Sequence, residues 1–262
     1  MHYQFGDQDL AARRLEVVAR VFEPATRALL EEAVQGRVGT AIDLGCGPGF
    51  TTRLLSQVAG SGIVAGLDTS ERFLGLARQA GGDRLRFHHH DVLLMPFPEA
   101  PADLLFCRFL LSHLPEPLSC LEIWATQVYA GGLIVVEEVE AIETAQPAFQ
   151  RYLGIVEAML RSRQTELYVG AGLDVLIGSL RLRKRLSRAR RLPVSDQDAA
   201  TMFSMNMPNW KDNPFIRENF PGESIGRLQA ELETLASADG KESSITWTLR
   251  QMVLERRPAA GS

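Results

Sequence analysis

Asp43, Gly45, Gly47 and Gly49 fall within one decapeptide, AIDLGCGPGF at 41–50. An apolar run ends on a carboxylate there, and glycine then takes every second position. Asp68 closes a second apolar run about 20 residues further on. Asp91 follows a third run and His113 lies beyond a fourth. Glycine lets the backbone turn sharply and lets a ligand rest against bare main chain. A carboxylate at the end of the second run is placed to accept hydrogen bonds from a ribose diol. The dinucleotide spacing G-x-G-x-x-G is broken, because Phe50 stands where the third glycine belongs. No Gly-Lys-Ser/Thr follows, so the P-loop pattern also fails. The set points to an adenosine without a phosphate chain, its adenine ring near Asp91 and Val92. His113, with an imidazole pKa near ~6.5, is a candidate to take a proton from a substrate. The alternative for His113 is to cap the helix that follows.

Strands must carry these residues to one edge. The spacing predicts strands over Val38–Leu44, Ile63–Asp68, Leu85–His90, Asp103–Phe109 and Leu133–Glu138. Helices are predicted between them: Thr51–Ala59, then Ser70 as N-cap of a helix through Gln79, then Pro117–Tyr129 ended by Gly131-Gly132. Residues 8–35 carry apolar positions at helical spacing, and Pro24 predicts a break into two helices. A helix is predicted from Pro147 to Arg163 and a closing strand over Ser244–Glu255. Short apolar strands alternating with helices imply a parallel sheet with crossovers on both faces.

Composition narrows the function classes. Hydrophobic residues make up 45% of the 262 and charged residues 23%, which suits one large globular domain. The net charge of −4 provides no global field for nucleic acid. The opening MHYQFGDQDL is unlike a secretory signal, and no apolar run reaches the ~18 residues of a membrane span. The 3 cysteines form no C-x-x-C pair, so reduced thiols and a cytoplasmic setting are expected.

In order, DLGCGPG, GLDTS, HHHDVLLMPFP, ADLLFCRFLLSHLPEP and GGLIVVEE resemble the successive motifs of class I S-adenosylmethionine (SAM)-dependent methyltransferases. Tyr3, Gly6 and Arg14-Leu15 resemble the Y-x-x-G…R-L opening of bacterial small-molecule members, similar to the quinone-biosynthesis methyltransferases. The resemblance implies an α/β, Rossmann-like, doubly wound and mostly parallel seven-stranded sheet, with an antiparallel last strand and an N-terminal helical cap. It implies SAM as cofactor and S-adenosylhomocysteine (SAH) as product. Gly45, Gly47 and Gly49 would lie against the methionine part, with Asp43 holding the loop or meeting the amino group through water. Asp68 would take the ribose hydroxyls, and Asp91 and the Val92 amide the adenine. Backbone at Cys107 would face the methionyl amine, and Tyr3 and Arg14 would close over the carboxylate. Cys46 and Thr69 fall inside the same motifs and join the cofactor set, Cys46 as a small apolar residue without a redox role.

The expected organisation is a helical lid over 1–36, a SAM-binding core over 37–140, a substrate-binding insertion with the sixth strand over 141–240, and a closing strand and tail over 241–262, together one structural domain. Arg108 and Glu138 end strands on the ligand side and are candidates to orient a substrate, or to pair as structural ions. MFSMNMPNW at 202–210 offers Met205 and Trp210 as a substrate wall, with core packing as the alternative. His88-His89-His90 cannot converge on one metal, because consecutive strand residues point to opposite faces. RLRKRLSRARR at 181–191 motivates an RNA or protein methyltransferase, and a solvated helix face or a charged edge strand is the plainer reading. The compact size and the Met-rich later region favour a small, partly aromatic acceptor, and the resemblance implies natural-product tailoring at O, N or C; no nucleic-acid or membrane partner and a monomer or homodimer are expected. A SAM-binding regulator without turnover stays open, and Phe50 disfavours a nicotinamide oxidoreductase.

Overall fold

A computed structural model describes residues 9–60, 62–179, 182–210, 213–238 and 242–258. Tyr3 and Arg181 lie outside the described residues. The chain begins with α1 (Asp9–Ala33), then β1 (Thr40–Leu44), α2 (Phe50–Ala59), β2 (Ile63–Asp68), α3 (Glu71–Gln79), β3 (Leu85–His89) and β4 (Ala102–Arg108). After a short turn of 3-10 helix at Leu111–His113 come α4 (Pro117–Ala125), β5 (Val128–Thr144), α5 (Pro147–Arg161), α6 (Val169–Leu176) and β6 (Leu182–Val194). The last elements are α7 (Asp196–Ser204), α8 (Pro214–Asn219), α9 (Gly222–Ser237) and β7 (Ile245–Arg256). Among the described residues, no helix is long and apolar enough to cross a membrane.

Seven strands form one sheet in the order β3-β2-β1-β4-β5-β7-β6. The pairs β1–β2, β1–β4, β2–β3 and β4–β5 are parallel, and β7 runs antiparallel to both neighbours. The chain order reverses between β1 and β4, so the loops after these strands open into a crevice. Leu29, Leu54 and Leu55 pack on one face of the sheet. Leu121 and Trp124 of α4 pack on the other. A further cluster joins α1, α5, α7, α9 and the start of β7 around Phe22, Phe149, Phe203 and Trp247.

Two local expectations change. Residues 9–33 form one helix with Pro24 inside it, not two. Proline removes one backbone donor and crowds the preceding turn. Burial outweighs that cost, because Phe22, Ala25, Leu29 and Leu30 are 2%, 0%, 0% and 0% exposed on either side of it. Gly131-Gly132 does not end α4, which stops at Ala125. Both glycines sit inside the long β5, where pairing with β4 jumps from Ala102–Val128 to Leu104–Leu133.

The basic stretch is the edge strand β6. Five of its cations pair with acids: Arg183 and Arg185 reach Glu255, and Lys184 meets Asp174 at 2.8 Å. Arg188 meets Glu32 at 2.7 Å and Arg191 meets Glu143 at 2.6 Å.

Candidate cofactor and substrate site

A cavity of about 420 Å³ opens where β1, β2 and β4 end, roofed by α1 and walled by α5 and α7. The loop after β1 is fixed from both sides. Asp43, 1% exposed, accepts Thr51 Oγ1 at 2.7 Å and Thr52 Oγ1 at 2.6 Å, binding the strand to the start of α2. Burial pushes its carboxyl up to about 6, and the two hydroxyls oppose the rise. Asp43 does not line the cavity, so of its two expected roles the structure displays the loop-holding one.

The three glycines do different work. Gly47 has φ +52, and a Cβ there would meet only Leu15 Cδ1 at 3.5 Å, so its main chain faces the cavity. Gly45 also lines the cavity, under the Leu110 side chain. Gly49, at φ +78, packs away from it: a Cβ there would sit 3.0 Å from both Ala77 Cβ and Phe87 Cε1. Its expected contact with a ligand is therefore corrected to tight packing of the loop on α3 and β3.

Asp68 ends β2 beside this loop. One carboxylate oxygen accepts the Gly47 amide at 2.8 Å, and the other accepts the Ser70 amide at 2.8 Å. Burial raises its pKa, and hydrogen bonds from the Ser70, Gly47 and Thr69 amides counter that rise. Ser70 caps α3 as expected, accepting the Phe73 amide at 3.2 Å. Cys46, Thr69, Asp91 and Val92 line the same end of the cavity. Asp91 Oδ1 accepts the Leu93 amide at 2.9 Å, and Trp124 Nε1 donates to the Val92 carbonyl at 2.9 Å, which fixes the loop after β3. The histidine run alternates: His89 Nε2 pairs with the Thr69 carbonyl at 3.0 Å and His90 Nε2 with the Leu94 carbonyl at 2.8 Å. No metal-binding group of His, Cys, Asp and Glu occurs among the described residues.

At the end of β4 the expectation shifts by a few residues. Cys107 is 0% exposed in the core and does not line the cavity; Arg108, Phe109 and Leu110 do. Arg108 Nη1 donates to Thr26 Oγ1 at 3.0 Å. Thr26 in turn donates to Glu137, whose other oxygen accepts Gln251 Nε2 at 2.6 Å. Arg108 is thus linked through Thr26 to the buried Glu137 while its side chain borders the cavity. Glu138 is not a substrate-orienting group lining the cavity. It is 0% exposed, and its Oε1 accepts the Leu110 amide at 2.7 Å and the Leu111 amide at 2.8 Å. Burial pushes its carboxyl up to about 8.

Those two bonds hold the turn that presents His113 to the cavity. Burial, then the nearby Arg14 guanidinium, push the His113 imidazole down to about 4. It is neutral at pH 7 and a weaker base than the sequence reading assumed. Arg14 is 8% exposed and lines the cavity from α1.

The other half of the cavity is mainly apolar, and the lining also includes Asn206, Arg163 and Thr165. Val18 and Phe22 of α1, Tyr152 and Val156 of α5, Met202 and Phe203 of α7, and Trp247 of β7 surround it. Met205 and Trp210, expected as substrate contacts, do not line it. Trp210 is 1% exposed and stacks on Tyr152 at 5.1 Å, so the Met-rich stretch is mainly core, with its cavity contacts at Met202, Phe203 and Asn206. Sequence reasoning missed Tyr152 and Asn206. Asn206 stood inside the quoted stretch and was the polar residue in an apolar segment.

Residues 42–136 match the family model for a methyltransferase domain. That segment is similar to methyltransferase domains. The sheet order and its antiparallel β7 are those of class I SAM-dependent methyltransferases, whose cofactor is SAM. Trans-aconitate 2-methyltransferase of Rhizobium rhizogenes is 33% identical over 113 residues, 42% of this chain and 43% of that protein. Demethylmenaquinone methyltransferase of Oceanobacillus iheyensis is 33% identical over 118 residues, 43% of this chain and 48% of that protein. The chain thus matches less than half the length of these methyltransferases. A solved coclaurine N-methyltransferase, bound to N-methylheliamine and SAH, superposes with a TM-score of 0.54 at 14% identity, covering 89% of this chain and 72% of that one.

Proposed function

We propose that the chain is a SAM-dependent methyltransferase acting on a small, apolar, largely aromatic molecule. One observation carries the reading: Gly47 main chain and the Asp68 carboxylate stand at one end of a cavity whose other end is walled by Phe22, Tyr152, Phe203 and Trp247. The residues fit SAM. Gly47 offers a face that a Cβ would obstruct, and Asp68 keeps acceptor capacity beyond its two backbone bonds. In this reading Asp68 takes the ribose hydroxyls, Asp91 and Val92 the adenine, Cys46 and Thr69 flank them, and Arg14 meets the carboxylate tail. Arg108 borders the reacting end.

Bound SAM supplies a methyl group on a cationic sulfur, already activated for in-line displacement. The protein's contribution is alignment and exclusion of water, and alignment is worth roughly 7–11 kcal/mol at best. A neutral His113 accepts a hydrogen bond from a substrate hydroxyl and aims it. With its conjugate acid near 4, it is a positioning group more than a proton sink.

The relatives' names do not transfer easily to the substrate half. A tricarboxylate such as trans-aconitate calls for several available cations; of the three described arginines that border the cavity, Arg14 is assigned to the cofactor's carboxylate and Arg108 is tied to Thr26, which leaves Arg163 beside a wall of Phe22, Tyr152, Phe203 and Trp247. The RNA reading loses its main support with the basic residues of β6 paired to acids. Incubating metabolite extracts with methyl-labelled SAM tests the proposal. Label is expected in small aromatic products. Label confined to RNA or protein, or tight binding of NAD in place of SAH, would overturn it.

A further inference from the structure

Asn206 follows α7 at the cavity wall and is 5% exposed. Its Nδ2 donates to the Tyr152 hydroxyl at 2.7 Å. Its Oδ1 is buried, and no described residue donates to it. The residue is held rigidly: its amide donates to the Phe203 carbonyl at 3.1 Å, and its carbonyl accepts the Asn209 amide at 3.2 Å. A buried carboxamide oxygen without a donor is uncommon in a settled core, and at a binding wall it marks where a ligand group belongs.

The surroundings define that group. Tyr152 and Phe203, which stack on each other at 4.0 Å with their planes 16° apart, both line the cavity, so aromatic surface borders it beside the carboxamide. The carboxylates lining the cavity, among the described residues, are Asp68 and Asp91 at its opposite end. The charge that bears on both Tyr152 and His113 is the Arg14 cation. With Arg14 assigned to the cofactor's carboxylate, an ammonium placed by Asn206 would find no cavity-lining carboxylate of the described protein beside it to offset its desolvation.

We infer that Asn206 is a specificity-determining residue whose carboxamide oxygen accepts a hydrogen bond from an uncharged hydroxyl or N–H on a flat apolar substrate. The inference rests on the methyltransferase reading of the site and narrows its substrate class. It sets phenols, enols, indoles and neutral amides apart from protonated amines.

Calorimetry on SAH-loaded protein tests this with three probes of one shape: 2-naphthol, 2-methoxynaphthalene and naphthalen-2-ylmethylammonium. The expected order puts 2-naphthol about tenfold tighter than the methyl ether, with the ammonium weakest. Asn206→Leu should level naphthol and ether while SAH affinity stays unchanged. Asn206→Asp keeps an acceptor, so it should retain the naphthol preference and gain the ammonium. A naphthol preference that survives Asn206→Leu overturns the inference. So does a wild-type protein that prefers the ether, or one that binds SAH but none of the probes. If Asn206→Leu melts early, the Asn206→Asp arm decides: failure to gain the ammonium overturns it. Failure of SAH itself to bind would instead count against the methyltransferase reading.

Discussion

Asp68 holds the Gly47 amide on one carboxylate oxygen at 2.8 Å, so the residue we propose for the cofactor's sugar also shapes the loop we propose for its amino-acid tail. Asp68→Ala removes both functions. SAH affinity is expected to fall roughly 10- to 100-fold, the scale of one or two hydrogen bonds to a charged group. Titration calorimetry reads this directly, and unchanged affinity would remove the ribose assignment.

Gly47 and Gly49 should separate binding from folding. Gly49→Ala forces a Cβ to 3.0 Å from Ala77 and Phe87 at φ +78, so it should cost about 1–3 kcal/mol of stability in denaturant unfolding. Gly47→Val carries a comparable backbone penalty, but its side chain enters the cavity. It should abolish SAH binding at a protein concentration where the fold is intact by circular dichroism.

His113 should not titrate near neutrality. Its folded pKa of about 4 lies below the ordinary imidazole value of 6.5, so the unfolded chain binds more protons between these values. Its contribution is complete above pH 6.5 and is lost as pH falls toward 4, by at most about 3 kcal/mol. His113→Ala should flatten that part of the stability profile. It should lower kcat about tenfold, short of the ~10²-fold or more of a full general base, with SAH affinity little changed.

Glu138 should show the opposite sign. Its folded pKa of about 8 lies above 4.5, so its contribution is full at low pH and is lost as pH rises through 8. Glu138→Gln keeps an acceptor for the Leu110 and Leu111 amides and should remove this pH dependence. Glu138→Ala strands both amides and should cost about 2–4 kcal/mol, measured by urea unfolding at several pH values.

The cofactor half was largely legible because its signals are local. Strand β2 falls at Ile63–Asp68 as the sequence predicts, and Ser70 caps α3 through a bond three residues long. Asp68 needed only its place at a strand end. The misreadings came from competition between local and distant forces. Pro24 is a helix breaker by its own chemistry, yet burial of Phe22 and Leu29 keeps α1 whole. Arg108 and Glu138 carry equal promise in sequence. The side chains that decide between them are Thr26 and the Leu110 amide, and neither is visible from a strand pattern. Tyr152 and Asn206 lie 54 positions apart, and only the packing of α5 against α7 brings them together.

The chamber is built from two kinds of chain. Residues within 42–136 surround the cofactor end, whereas α1, α5, α7 and β7 supply the apolar end. Change in those flanking elements can therefore re-aim one inherited reagent at new molecules while the machinery that carries it stays intact. Kinship read from the shared portion reports the reagent, and the acceptor is written in the remainder.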